Sequence, residues 1–372
     1  MVEVIASICR RLDGIPLAIE LAAARAPTLG IETLAARLDD RFALLTRGQR
    51  TALPRHQTLR ATLDWSYDLL PEPERVLLHR LAIFAGPFSL EAASTVAASP
   101  ELAVSEVIEG LSSLVAKSLV EAELKADMRY WLLDTTRAYA LEKLDESGER
   151  QRITRRHAEF YKDLFERADA ERDAPPPAEW LGKYGWCIGN LRAALDWAFS
   201  VEGDASIGVE LVTWAAPLFI GLSLLDECGR WCERALACLD AAARGSRQEM
   251  ILQEAFALSL MFTKGTNDRV HAVIERALVL EEAFGDRRHR LELLFGLFRL
   301  HMRLTDFCRA HEVAQQSATF VETSKDPADL SSWAHSPTAC ASTDKWRRPS
   351  LQSIRPSAAL QIADRHLIWP NC

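Results

Sequence analysis

No stretch of the 372 residues approaches the roughly 20 consecutive apolar positions that a membrane-crossing helix needs. The opening run, MVEVIASICRRLDG, carries an acid at position 3 and no small-residue cleavage site behind an apolar core. The expectation is a cytoplasmic chain without a secretory leader and without a membrane partner. None of the eight cysteines forms a Cys-x-x-Cys pair. Cys228 and Cys232 stand one helical turn apart and could supply half a metal site. No His or second Cys pair completes it, so buried free thiols in a reducing compartment are expected. Catalytic signatures are missing too. There is no GxxxxGK(S/T) loop to cradle a triphosphate, and no GxSxG, HExxH or GxGxxG. The nine histidines are scattered, with His79 and His157 in amphipathic patterns and His56 in a basic stretch. Neither catalysis nor a metal is expected. A net charge of −8 leaves the chain as a whole no electrostatic footprint for nucleic acid.

Helical periodicity runs through almost every segment. Val4, Ile5, Ile8 and Leu12 make one stripe that Gly14 stops, and Pro16 suits the first turn of the next helix. A further helix spans 31–40, so residues 1–50 read as a compact helical subdomain. Leu59, Leu63 and Leu70 begin a new unit, and Pro71 and Pro73 start its second helix. Ser89 opens a third helix to Ala97, and a fourth runs from Val104 to Lys117. Ser118-Leu119-Val120 and Tyr130-Trp131-Leu132-Leu133 are the strand candidates, after which Asp134, Thr135 or Thr136 caps another helix. Helices followed by one hairpin are the layout of a winged helix-turn-helix, placed at 51–147.

A connecting helix and a stiff linker at Pro175-Pro176-Pro177 fill 148–177. Residues 178–330 carry paired helix candidates. Arg234-Ala235-Leu236-Ala237-Cys238-Leu239 and Arg276-Ala277-Leu278-Val279-Leu280-Glu281 repeat 42 residues apart, which suggests TPR-like helical repeats. The fold class expected is therefore mainly α, with one small β-hairpin. Periodicity ends near Ser331, and 331–372 reads as a disordered tail or one translated from a shifted frame. Within the repeats, Trp180, Trp186, Trp197, Trp214 and Trp231 are core aromatics or, alternatively, the lining of a concave ligand surface.

The motif Gly14-Ile15-Pro16-Leu17-Ala18, followed by TALPRHQTLRATLDWSYDLLPEPERVLLHRLAIFAGP at 51–87, resembles the regulatory half of bacterial STAND-type (NB-ARC) signal-transduction ATPases. The string Asn190 to Trp197, NLRAALDW, is similar to the repeat junction of AfsR-like and MalT-like regulators. The resemblance implies that Pro16 packs on an adenine ring and that Gly14 lets the backbone approach it. ATP or ADP would sit in a nucleotide-binding core that is not in these residues, so no cofactor is expected in this chain by itself. Leu132-Leu133-Asp134 falls where some relatives carry Met-His-Asp, so a nucleotide-sensing role for position 133 is not carried over. The implied function is a non-catalytic regulatory and sensor segment that controls transcription by domain rearrangement, with a protein or small inducer bound through the repeats.

Two alternatives stand beside it: a stand-alone DNA-binding winged helix, and a helical-repeat scaffold. The helix 104–117 carries Glu106 and Glu109 with Lys117 as its only base, which argues against direct DNA contact. Arg47, Arg50, Arg55, His56 and Arg60 form a basic run without an acid, read as a solvated loop or as a contact for an anionic partner. Arg150, Arg152, Arg155 and Arg156 read as the exposed start of a helix.

Overall fold

The computed structural model describes residues 2–12, 19, 22–23, 26, 30–36, 59–172, 174–241, 243–265 and 267–324. Gly14, Pro16, most of the basic run 47–60 and the tail 331–372 lie outside the described residues. The chain divides into two compact units. The first comprises Met1–Leu164 with Trp186–Asp204, and the second Phe165–Gly185 with Ala205–Cys372. Among the described residues the fold is mainly α with a single two-stranded antiparallel sheet.

In the first unit, Val2–Arg11 buries Ile8 and leaves Ile5 exposed, and it packs with the short helix Ile31–Ala36. The winged-helix portion begins with Leu59–Asp68 and Glu72–Leu81. Pro71 is the N-cap of the second of these and Pro73 lies in its first turn, where a missing N–H costs nothing. Ser89 caps Leu90–Ala97 by accepting from the Ala92 amide at 3.1 Å. Val104–Ala116 follows, and its period sets Val107, Leu111 and Leu114 against the core with Leu77, Leu81 and Phe84.

The hairpin pairs β1, Glu121–Leu124, with β2, Met128–Trp131, in the register Glu121↔Trp131 to Leu124↔Met128. An isolated bridge between Phe88 and Tyr130 adds a third edge. The sequence expectation placed the first strand three residues too early. Ser118 takes a left-handed φ of 56° that ends the preceding helix, and Leu119 and Val120 are buried core contacts before pairing begins. Their apolarity signalled burial rather than strand. Asp134–Glu146 then starts at Asp134 itself, with Leu133 at the N-cap and no side-chain cap. Thr135 and Thr136 are buried instead of capping, which corrects that expectation too.

In the second unit, the described residues from Ala205 onward form six helices, Ala205–Gly221, Leu225–Ala237, Arg247–Thr263, Asp268–Phe284, Arg287–Arg303 and Phe307–Ser324. Alternate members start at 205, 247 and 287, a recurrence of 40 to 42 residues and longer than the ~34 of a TPR. Each helix packs on the next, and the first, third and fifth also touch in order, as in a solenoid of helical hairpins. Ala235 and Ala277, the matched small residues, are both fully buried and allow close approach. Pro175-Pro176-Pro177 is not a free linker: Pro176 is the N-cap and Pro177 the first residue of the helix Pro177–Tyr184. Cys228 and Cys232 are buried free thiols with sulfurs 3.9 Å apart.

Candidate functional site

Two places carry the chemistry. The first is the winged helix, where Val104–Ala116 occupies the position of the helix that reads a DNA groove in such folds. Its outward residues are Val104, Ser105, Glu106, Ile108, Glu109, Ser112 and Ala116. Val104 and Ile108 are 50% and 42% exposed. Glu106 accepts from the Ala103 amide at 2.7 Å and so ties down the start of the helix. Lys117, the base at its end, is bound to Glu74, which also accepts from Ser113 Oγ at 2.8 Å. The hairpin loop pairs Lys125 with Glu123 at 3.0 Å, and the Arg129 guanidinium lies 4.7 Å from the Trp186 ring. This face therefore presents apolar and acidic groups, with its cations engaged by neighbours.

Leu132 and Asp134, from the Leu132-Leu133-Asp134 string, line a cleft of about 280 Å³ with Phe84, Pro87 and Arg137. Arg137 Nε donates to the Phe84 carbonyl at 2.7 Å, which holds this cleft's wall to the core. The other basic cluster is internally satisfied. Arg150 meets Asp145 at 2.7 Å, Arg155 meets Asp204 at 2.7 Å, Arg152 meets Glu149, and Arg156 donates to the Thr95 and Ala98 carbonyls. Arg60 pairs with Glu142 at 2.8 Å.

Two residues not assigned a role from sequence organise this unit. Asn190, in the NLRAALDW string, is fully buried; it accepts from the Ala85 amide at 2.8 Å and donates to the Pro87 carbonyl at 2.6 Å. Gly189 beside it permits the approach, since a Cβ there would lie 3.3 Å from the Ala85 carbonyl oxygen. Arg80, 3% exposed, grips Glu149 through Nε at 2.9 Å and Nη2 at 2.8 Å, and the Ala97 carbonyl at 2.7 Å. Only a spatial reading finds them, because Glu149 lies 69 positions from Arg80 and Ala85 lies 105 from Asn190.

The second place is a cavity of about 380 Å³ within the helical-repeat unit. Trp180, Leu181, Ile220, Ile251, Met261 and Phe295 supply apolar wall. Of the five tryptophans weighed as a ligand lining, Trp180 alone is in this wall. Trp214 packs on the Met250, Ile251 and Leu280 cluster, while Trp186 and Trp197 belong to the other unit. The polar wall holds Arg172, Glu254, His289, Glu292 and Arg299. Glu254, His289 and Glu292 offer donor atoms within 4.8 Å of one another, a grouping that the sequence reading missed because 35 residues separate Glu254 from His289.

Charge within that cluster is largely met from inside. Arg172 Nη2 donates to Glu292 at 2.8 Å, and His289 Nδ1 lies 2.7 Å from Glu254 Oε2. Burial and the neighbouring Glu292 charge push Glu254 well above the carboxylate range. Arg172 holds Glu292 below the carboxylate range against its burial. Burial lowers His289 and keeps its ring neutral. A cation at this cluster would face the repulsion of two guanidiniums, Arg172 and Arg299.

Comparison with known proteins adds the following. Residues 70–145 match the family model described as a winged helix-turn-helix domain. A Mycobacterium tuberculosis protein provisionally named an HTH-type transcriptional regulator is 42% identical over 228 residues, 61% of this chain and 26% of that protein. An uncharacterised Mycobacterium tuberculosis protein is 46% identical over 160 residues, 42% of this chain and 41% of that one. The chain thus spans about a quarter of the length of the first of these relatives. A crystal structure of a STAND protein with a tetratricopeptide repeat sensor from Pyrococcus horikoshii aligns at 15% identity and a TM-score of 0.36, over 86% of this chain and 49% of that one. A likeness that low carries no argument. Residues 70–145 of this chain are a winged helix-turn-helix domain, followed by an array of helical hairpins.

Proposed function

We propose that this chain is a regulatory and sensory segment of a transcription regulator, in which the winged helix makes protein contacts and the helical repeats receive the signal. The observation that carries this reading is the outward face of Val104–Ala116. It shows Val104, Ile108, Glu106 and Glu109, while Lys117 is engaged by Glu74. Groove reading calls for Arg, Lys, Asn or Gln at such positions, and phosphate contact calls for positive charge. Carboxylates there repel the backbone, whereas exposed Val and Ile favour an apolar partner surface. The names of the relatives support a role in transcription, and resemblance supports a STAND-type, AfsR-like or MalT-like arrangement. In that arrangement Gly14 and Pro16 would contact the adenine of a nucleotide held by a separate core, and nucleotide state would shift the balance between two domain arrangements.

The specific observation favouring the competing reading, direct DNA binding, is the winged-helix domain itself. Fluorescence anisotropy with a labelled random duplex pool at near-physiological salt separates the two. Weak binding without sequence preference is expected, near the roughly 10⁻⁴–10⁻⁶ M of non-specific contacts. Nanomolar binding to a selected motif, lost on changing Ser105 and Glu109, would overturn the protein-contact reading.

A further inference from the structure

On the helix Arg287–Arg303, the residues His289, Glu292, Gly296 and Arg299 fall at i, i+3, i+7 and i+10, a single stripe along one face. All four line the cavity of the helical-repeat unit. Gly296 is its open floor, since a Cβ added there would meet nothing within 4 Å. The stripe is electrostatically uneven. Its Glu292 end is answered by Arg172, which donates to it at 2.8 Å. Its Arg299 end feels the Glu292 charge at a distance but has no direct partner. Among the described residues no hydrogen bond or ion pair engages Arg299, and its Nε is buried without a partner. Burial also pulls its guanidinium below the usual arginine range. Arg303, one turn on, is by contrast occupied, donating to the Met261 carbonyl at 2.6 Å and lying 4.5 Å from the Phe262 ring. A half-buried guanidinium that feels the Glu292 charge but has no hydrogen-bond partner of its own marks a place that suits an anion. His289 Nε2, on a side chain 5% exposed, is likewise buried without a partner.

The rest of the cavity specifies the remainder of the ligand. Its volume falls at the lower end of the roughly 300–1,000 Å³ of small-molecule sites, and its walls are mostly aliphatic and aromatic with a few convergent polar groups. We propose that this cavity binds a small organic acid, with the carboxylate on Arg299 and an apolar body over Gly296 against Trp180, Ile251 and Phe295. A divalent metal at Glu254, His289 and Glu292 is the rival occupant. It would sit against the repulsion of two guanidiniums, and it would leave Arg299 without a direct partner. An ammonium ligand meets the same objection.

The inference deepens the sensing role proposed above and rests on it, but its test is direct binding, which can fail or succeed whatever the DNA measurement shows. Isothermal titration calorimetry on the full chain would use 3-phenylpropionate and octanoate, their amides, 3-phenylpropylamine, and Zn²⁺ or Mn²⁺ alone. At least one carboxylate should saturate at micromolar to low-millimolar concentration, with its amide and the amine about tenfold weaker or worse. Arg299→Gln should weaken the carboxylate at least about tenfold, and Arg299→Lys should keep part of the affinity. Should Arg299→Gln misfold, Gly296→Leu fills the floor with a better helix former, leaves the charges alone, and should abolish binding with the circular dichroism intact. The proposal is overturned if neither carboxylate binds. It also fails if the amine or a metal ion binds as tightly as the acids, or if both variants bind like the parent.

Discussion

Replacing Asn190 with Leu tests how the winged-helix portion is locked to the helix Ile188–Ala198. The swap keeps size and helix compatibility and removes one acceptor and one donor. It orphans the Ala85 amide, held at 2.8 Å, and the Pro87 carbonyl, held at 2.6 Å. A buried polar group left unpaired costs about 1–3 kcal/mol. Ala85 is exposed and Pro87 half-buried, so water can partly replace what is lost, and the total should be about 2–4 kcal/mol. That is a large fraction of the about 5–15 kcal/mol that holds a domain together. At about 2–4 °C per kcal/mol for a unit of this size, the corresponding fall in Tm is roughly 5–15 °C. Urea unfolding followed by tryptophan emission suits the measurement, because Trp186 precedes the helix and Trp197 lies in its last turn. A loss below about 1 kcal/mol, with an unchanged urea slope, would show that Asn190 is not the clamp the geometry implies.

Other consequences follow from groups in the same unit. Arg80→Met strands Glu149 and the Ala97 carbonyl; with Glu149 26% exposed, the cost should sit near the low end of the about 3–5 kcal/mol for breaking a buried pair. Glu149→Gln should cost less, and equal losses in urea titration would contradict the two-sided role of Arg80. Arg80 also holds the Glu149 carboxyl below its usual range, so this contribution is present at neutral pH and is lost as pH falls through and below the ordinary carboxylate range. Burial lowers His79 to about 4 and His157 to about 3 from 6.5. Both are neutral in the fold, so the unfolded chain binds protons first. The stability they lend is complete above about pH 6.5 and is lost progressively as pH falls from there through their folded-state values. Urea midpoints of this unit at pH 7.5, 5.5 and 4.5 should decline, and His79→Gln should flatten the slope; a constant midpoint from 7.5 to 5.5 would refute it.

Much of the local architecture was written in neighbouring residues. Ser89 as a cap, Pro71 and Pro73 at a helix start, and the period of Val107, Leu111 and Leu114 each act within a few positions, so the sequence alone determined those helices. The spacing of Ala235 and Ala277 likewise announced the helical hairpins. Strand limits were less legible, because Leu119 and Val120 look the same whether they fill a core or pair in a sheet. The triple proline also misled, since the same fixed φ that stiffens a linker starts a helix at Pro177. What only the tertiary structure decided is which polar groups lose water together. Asn190 meets a loop 105 positions away, and Glu254, His289 and Glu292 gather with Arg172 and Arg299 around one cavity. A lone Glu, His or Arg on a helix reads as solvated surface, and its chemistry appears only when a neighbouring helix removes the solvent and supplies, or fails to supply, the opposite charge.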